Sequence, residues 1–285
     1  MQYRTLGKTG QSLSIIGFGG ILVRDVDSAE ASRLVGRAID VGINYFDVAP
    51  SYGNAQDMLG PALEPYRANV FLACKTTKRD AASARLELEN SLRVLRTDHF
   101  DLYQLHAMTT PADVEQVFGP GGAMEAFERA RDEGKTRFIG FSAHSAEVAV
   151  ELLNRYPFAS VLTPINFGIY LKGGFGPQIV EATQRSGAGL LALKAMAWTK
   201  LPEGLPREQR RWTKCWYEPI TDPEIAQLAL RFTLSLPVTA AITPGHAELF
   251  EMALPVGEDP RPLTPAERER LAQLAEQIDP LFRAA

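Results

Sequence analysis

The stretch "SAEASRLVGRAIDVGINYFDVAPSYG", Ser28 to Gly53, contains one complete unit of a repeating pattern. Its first half sets Leu34, Val35, Ala38 and Ile39 at helical spacing. Ser28 reads as the N-cap, Glu30 lies in the first turn and Gly42 is the stop. The second half is a short apolar run, Ile43–Phe46, which suits a strand buried on both faces. That run ends in Asp47, and Tyr52 follows in a turn. Two questions arise: whether the unit repeats, and why two ionisable side chains close it.

The unit repeats. Short apolar runs fall at Ile15–Phe18, Ile43–Phe46, Val70–Cys74, Phe100–Leu105, Phe138–Phe141, Val161–Ile165, Leu190–Leu193 and Ala240–Ile242. Helix-like stretches separate them. "SARLELENSLRVLRT" spaces Leu86, Leu92 and Leu95 helically, "GGAMEAFERARDEGK" stops at Gly134, and "DPEIAQLALRFTLS" opens on an Asp222–Pro223 cap pair. Alternation through eight strands with no break in composition predicts an α/β chain folded as a (β/α)8 TIM barrel, with residues 1–285 forming a single domain. "YRTLGKTGQSLS" predicts an N-terminal β-hairpin plug turning at Gly7–Gly10. "TPAERERLAQLAEQI" predicts an additional C-terminal helix with Leu271, Leu274 and Ile278 on one stripe. An open doubly wound sheet fits less well, because "GFGG" at Gly17–Gly20 is too short for a G-x-G-x-x-G turn.

Composition narrows the partners. The chain has 285 residues, 45% hydrophobic and 22% charged, which is ordinary for a globular protein. Thirty Lys and Arg stand against 34 Asp and Glu, without a long basic block, so nucleic acid binding has little electrostatic support. No apolar run approaches the ~18 residues of a membrane span, and "MQYRTLGKTG" lacks the core of a signal peptide. Two cysteines, Cys74 and Cys215, make no disulfide framework. A reducing cytoplasm is the expected compartment.

In a barrel the carboxyl ends of the strands converge on the functional face. The second run ends in Asp47 with Tyr52 beyond it, the third in Lys75 ("FLACKT"), the fourth in His106 ("LYQLH"). Any one of these alone is more often a turn, solvated or core residue. On successive strand ends they suit proton transfer at a carbonyl oxygen. Tyr52 would be the acid or base, and an adjacent Lys75 cation would lower its pKa. Asp47 would hold Lys75, and His106 would place the substrate oxygen. None of the four supplies a hydride, so a reduced nicotinamide is the economical donor.

These residues carry a resemblance. "FDVAPSYG", "LACKT" and "DLYQLH" closely resemble the aldo-keto reductases, and the likeness runs from "YRTLGKTGQSLSIIGFGG" to "ITPGHAELFEMA". The resemblance implies NAD(P)H-dependent reduction of an aldehyde or ketone, with Asp47, Tyr52, Lys75 and His106 as the catalytic tetrad and no metal. It also implies cofactor contacts at Gly20, Asp47, Ser142, Asn166, Lys194, Gly245, Glu248 and Glu251. The cofactor side departs from the family pattern. Ser142 is followed by Ala143 and His144 where Asn is usual. Leu162, with Asn166 nearby, replaces a Gln. Leu193 takes the place of a stacking Tyr, and the adjacent Lys194 would lie near the carboxamide or the phosphates. Glu248 stands where an Arg or Lys commonly meets the 2′-phosphate of NADP, and Met252 replaces an Asn. A carboxylate there repels a phosphate and suits a ribose hydroxyl, so NADH is expected to serve at least as well as NADPH.

Two other readings compete. One is a cofactor-binding sensor or interaction module with little turnover. The other is a metal-dependent barrel hydrolase using His106, His144 and Asp47. The connection from Ala195 to Ile220 holds Trp198, Trp212 and Trp216 among several Lys and Arg; it reads as a lid or specificity loop. The substrate and the oligomeric state are not legible.

Overall fold

The eight apolar runs all become strands, and they close. A computed structural model describes residues 1–284. Two short antiparallel strands, β1 (Tyr3–Thr5) and β2 (Ser12–Ser14), form the N-terminal hairpin. Then come β3 (Ile16–Gly19), β4 (Tyr45–Asp47), β5 (Phe71–Thr76), β6 (Phe100–Met108), β7 (Thr136–Ala143), β8 (Ser160–Pro164) and β9 (Gly189–Leu193). A further hairpin, β10 (Ala197–Lys200) with β11 (Tyr217–Pro219), precedes β12 (Ala240–Ile242). β3 to β9 pair in order, all parallel, and β12 closes the cylinder between β9 and β3 through Ala240–Leu191 and Ala241–Ile16. This is the (β/α)8 barrel that the alternation predicts.

The helices are α1 (Ser28–Asp40), α2 (Ala55–Leu63), α3 (Ala81–Val94), α4 (Pro111–Phe118), α5 (Ala123–Asp132) and α6 (Ala146–Arg155). They continue with α7 (Phe167–Leu171), α8 (Pro177–Ser186), α9 (Pro223–Ser235), α10 (Ala247–Glu258) and α11 (Pro265–Glu276). Strand side chains alternate between two cores. One set, with Phe46, Leu72, Cys74 and Phe141, packs outward beneath the helices. The other fills the cylinder with Tyr45, Phe71, Leu102, Leu162 and Leu191, and the hairpin adds Leu6 and Leu13 to it. Gly7 lies against the backbone of Gly187–Gly189, where a Cβ would sit 2.4 Å from the Gly189 nitrogen. With that end sealed, the functional face is the opposite one.

Two local expectations need correction. Asp27, not Ser28, caps α1, its carboxylate accepting from the Glu30 amide at 2.8 Å. Asp is as good a cap as Ser, and the chain enters the helix one residue earlier than the sequence suggested. Leu86 is 72% exposed although its spacing matched a core stripe; α3 buries Ala84, Leu88 and Leu92 instead. After His106, Thr110 and Asp113 form a reciprocal capping box that starts α4. Leu271 of α11 and Ile278 just beyond its end are buried as expected, and Leu274 is half-buried. Among the described residues no helix is long and apolar enough to cross a membrane.

Candidate active site

Asp47 ends β4, and its carboxylate is 2% exposed. Its Oδ1 accepts from Lys75 Nζ, and its Oδ2 accepts from Gln104 Nε2 at 2.9 Å and from the Tyr45 hydroxyl at 3.3 Å. A carboxylate inside a barrel needs such donors, since an unpaired one would carry a large desolvation cost. Gln104 is a part of the site that the sequence reading missed. Its one signal is a polar residue inside the apolar run "DLYQLH", two positions before His106 and so on the same face of the strand.

Lys75, on β5, is fully buried. Besides Asp47 its Nζ reaches the Tyr52 hydroxyl at 3.3 Å and the Val48 carbonyl at 3.4 Å. Burial pulls its pKa down, but Asp47 and Tyr52 outweigh burial and hold it above the ordinary lysine value. Lys75 is therefore a fixed ammonium. Tyr52, in the turn after β4, shows the same competition with the opposite outcome. Burial raises the phenol most, Lys75 lowers it, Asp47 raises it again, and the net shift is upward. The expectation of a lowered tyrosine is thus corrected. Lys75 acts in the expected direction, but burial is the larger effect.

His106 stands on a bulge. The pairing of β6 with β7 shifts register between Leu105 and Met108, and Ala107 adopts φ 54°. A left-handed alanine is strained, and here it is held from several sides. The Arg79 guanidinium donates to the carbonyls of His106 (2.9 Å) and Ala107 (3.2 Å) and pairs with Asp113 at 2.8 Å. The Ala107 amide donates to Ser142 Oγ at 2.8 Å. The His106 ring meets Tyr52 edge-on with centroids 5.9 Å apart, and its Nδ1 lies 3.4 Å from Ser51 Oγ. Burial first, then Lys75, His144, Arg79 and Lys194, push its pKa down to about 2. The imidazole is neutral.

From Asp47 and Tyr52 a cleft runs over Leu162, Leu193 and Ile242 to Gly245. At that far end His246 stands at the N-cap of α10 without a capping side-chain bond among the described residues. The first-turn N–H groups are left for an anion. Gly245 keeps the wall thin there; a Cβ would sit 2.9 Å from Lys214 Cβ. The long connection after β9 crosses above, with Lys214 Nζ donating to the Leu22 carbonyl (2.8 Å) and Arg207 paired to Asp25 (3.0 Å). Uncapped amides, a thin glycine wall and a lysine at one end, with an aliphatic floor at the other, fit a dinucleotide.

The structure brings Asp47, Tyr52, Lys75 and His106 together. It distributes the expected cofactor contacts unevenly. Gly245 lines the cleft, and Glu248 is exposed in the first turn of α10. Glu251, on the outside, pairs with Arg37 at 3.2 Å. Gly20 is buried with the space at its Cβ filled by Val48, while its neighbour Gly19 lines the cleft. Ser142 holds the β6 bulge. Asn166 caps α7 and donates to the Lys194 carbonyl at 3.0 Å. Lys194 lines the cleft but points toward His144 Nε2, 3.1 Å away. Among the described residues no three His, Cys, Asp or Glu side chains gather as metal ligands, and His106, His144 and Asp47 form no such group. Of the tryptophans, Trp212 is buried against His246, Trp198 packs near Phe167, and Trp216 is half-exposed over Lys194.

Comparison with known proteins agrees with this geometry. The sequence profile described as "Aldo/keto reductase family" matches residues 15–204. The aldo-keto reductase YhdN of Bacillus subtilis is 32% identical over 185 residues, 58% of this chain and 54% of that protein. The L-galactose dehydrogenase of Arabidopsis thaliana is 27% identical over 224 residues, 73% of this chain and 69% of that one. The chain spans about half the length of the Bacillus relatives it matches. Among solved structures, the holo form of the aldo-keto reductase AKR11C1 from Bacillus halodurans superposes with a TM-score of 0.73 at 25% identity, over 96% of each chain.

Proposed function

The chain belongs to the aldo/keto reductase family, and from that premise we propose that it reduces an aldehyde or ketone to an alcohol with NAD(P)H, using Tyr52 as the proton donor. The observation that carries this reading is the Tyr52 hydroxyl 3.3 Å from a lysine whose charge Asp47 keeps fixed.

The cofactor, when bound, supplies the hydride that the chain's own side chains lack. The carbonyl oxygen is placed by two donors, the Tyr52 hydroxyl and His106. With Ser51 Oγ 3.4 Å from His106 Nδ1, the tautomer protonated on Nε2 would donate to the substrate oxygen, and because the ring is neutral across the useful pH range it orients the oxygen without protonating it. As negative charge grows on that oxygen, Tyr52 gives up its proton. Lys75 then faces a phenolate, and their attraction offsets the burial that held the proton on the phenol. The raised resting pKa of Tyr52 thus suits an acid that acts only when charge develops. In the direction of alcohol oxidation the same phenolate takes the proton back. The aliphatic floor at Leu193 gives a flat ring an apolar bed, and the free amides of α10 receive phosphate.

Tyr52→Phe tests this. It should lower the kcat for carbonyl reduction by about 10²–10⁴-fold and leave the cofactor Kd, read by fluorescence titration, nearly unchanged. A variant that keeps wild-type turnover sinks the assignment. If the wild type binds cofactor tightly but reduces no member of a broad panel of aldehydes, ketones and sugars, the sensor reading takes its place. The exposed carboxylate of Glu248 at the start of α10 favours NADH binding at least as tightly as NADPH; a clear NADPH preference in the same titration would overturn that part.

A further inference from the structure

Lys194 is a second buried lysine, one that lines the cleft, and its environment is the inverse of Lys75's. It is 9% exposed and forms no ion pair with a carboxylate among the described residues. The one hydrogen-bond partner of its Nζ there is His144 Nε2, at 3.1 Å. An ammonium carries three N–H donors, so two remain without an acceptor among the described residues. Aromatic faces enclose it, with Trp216 at 4.9 Å and Phe282 at 5.7 Å. Phe282 also stacks on His144, fixing that ring.

The backbone has been made to present this side chain. Lys194 adopts φ 62°, a conformation a lysine takes only at a cost. Its carbonyl is pinned by Asn166 Nδ2 and by the Ala197 amide, each at 3.0 Å. A strained, multiply anchored residue that aims an uncompensated cation into a cleft is pre-organised for an anion.

The position of that anion follows from the two ends of the cleft. Lys214 lies by Gly245 and α10, and its Nζ is turned to the Leu22 carbonyl at 2.8 Å. Lys194 Nζ instead meets His144, whose own amide donates to the Met108 carbonyl at 3.2 Å, at the end of the bulge that carries His106. Lys194 therefore belongs to the end where the carbonyl reacts. We propose that Lys194, steadied by His144 and walled by Trp216 and Phe282, is a substrate subsite for a carboxylate, so that the physiological substrate is an oxo acid or a semialdehyde acid. One ammonium balances one negative charge, and the aromatic walls suit a carboxylate on a carbon skeleton better than a phosphate dianion. This inference rests on the reductase reading.

The test compares 4-carboxybenzaldehyde with its methyl ester, and with 4-formylphenyl phosphate, in the holoenzyme and in Lys194→Met. The wild type should favour the acid over the ester by at least tenfold in kcat/KM, and over the phosphate. In K194M the acid-to-ester ratio should fall at least tenfold, with the Kd for NADH and NADPH changed less than threefold. Three results overturn the subsite: no acid preference in the wild type, a ratio untouched by the substitution, or a large loss of cofactor affinity with the ratio intact. A preference for the phosphate over the acid overturns the carboxylate assignment. Binding of terephthalate to the NADH complex, read by cofactor fluorescence, keeps the subsite testable if no aldehyde turns over. Weaker binding in K194M then supports the subsite and equal binding refutes it, whereas the absence of all turnover counts against the reductase reading alone.

Discussion

Lys75 on β5 and Lys194 just beyond β9 stand on opposite sides of the barrel, and both are buried, yet they are opposite devices. Lys75 touches a carboxylate and a phenol and is held charged. Lys194 touches an imidazole and two aromatic faces, and burial brings its pKa down to about 7. Burial pushes both amines toward neutrality, and what decides the outcome is whether an anion stands within reach. The first lysine is a completed part of the machinery. The second is completed only when something else arrives.

The largest effect should come from removing the completed cation. Lys75→Met leaves the Asp47 carboxylate buried without its counter-charge, with Gln104 and Tyr45 as its donors, which costs about 3–5 kcal/mol of stability in urea unfolding and about 10²–10⁴-fold in kcat. If K75M unfolded no more easily than the wild type, the ion pair would not be what holds this end together. Next comes the bulge. Arg79→Met releases the carbonyls of His106 and Ala107, and a displaced imidazole should lower kcat/KM by about 10–100-fold with the cofactor Kd unchanged. A kinetically silent R79M would show that the strained Ala107 holds itself.

The smallest effect has the opposite sign. Lys194→Met removes an uncompensated buried cation and should raise stability by about 1–2 kcal/mol. The pH dependence follows from the depressed value. Between about 7 and the ordinary lysine value the unfolded chain binds a proton that the folded chain does not, so wild-type stability rises with pH across that window. Below 7 both states are protonated and the penalty is at its full size. K194M should therefore gain most at pH 6 and least near pH 10. His144, Cys215 and Lys75 also face Lys194, but His144, held down to about 3, and Cys215, pushed up to about 11, titrate outside the window. A variant that is less stable than the wild type at pH 6 would mean that Lys194 has a partner holding it.

Much of this was legible beforehand, for reasons that differ by residue. A parallel strand covered on both faces reads as an uninterrupted apolar run, so all eight strands and the polar residues at their ends could be found without coordinates. The cap at Asp27 and the exposure of Leu86 turn on a one-residue shift and a helix rotation, which spacing alone does not set. Gln104 was obscured because a polar residue inside an apolar run looks like an interruption until its partner, Asp47, is seen across the strands. Arg79, Ser142 and Ala107 act together on one bulge but lie far apart in the chain, as do His144 and Lys194. Nor does the order of residues show that burial overrides Lys75 at Tyr52, because that depends on how completely the phenol is enclosed.

The contrast between the two ammonium groups can be read directly by heteronuclear NMR, titrating protein labelled at lysine with ¹⁵N. Lys194, identified by its loss in K194M, should deprotonate near pH 7 and move upward when terephthalate is added to the NADH complex. Lys75, identified by its loss in K75M, should stay charged beyond pH 10, above the ordinary lysine value. If the two titrate together, or if Lys75 is neutral at pH 8, there is no fixed cation beside Tyr52, and the account of proton transfer is wrong.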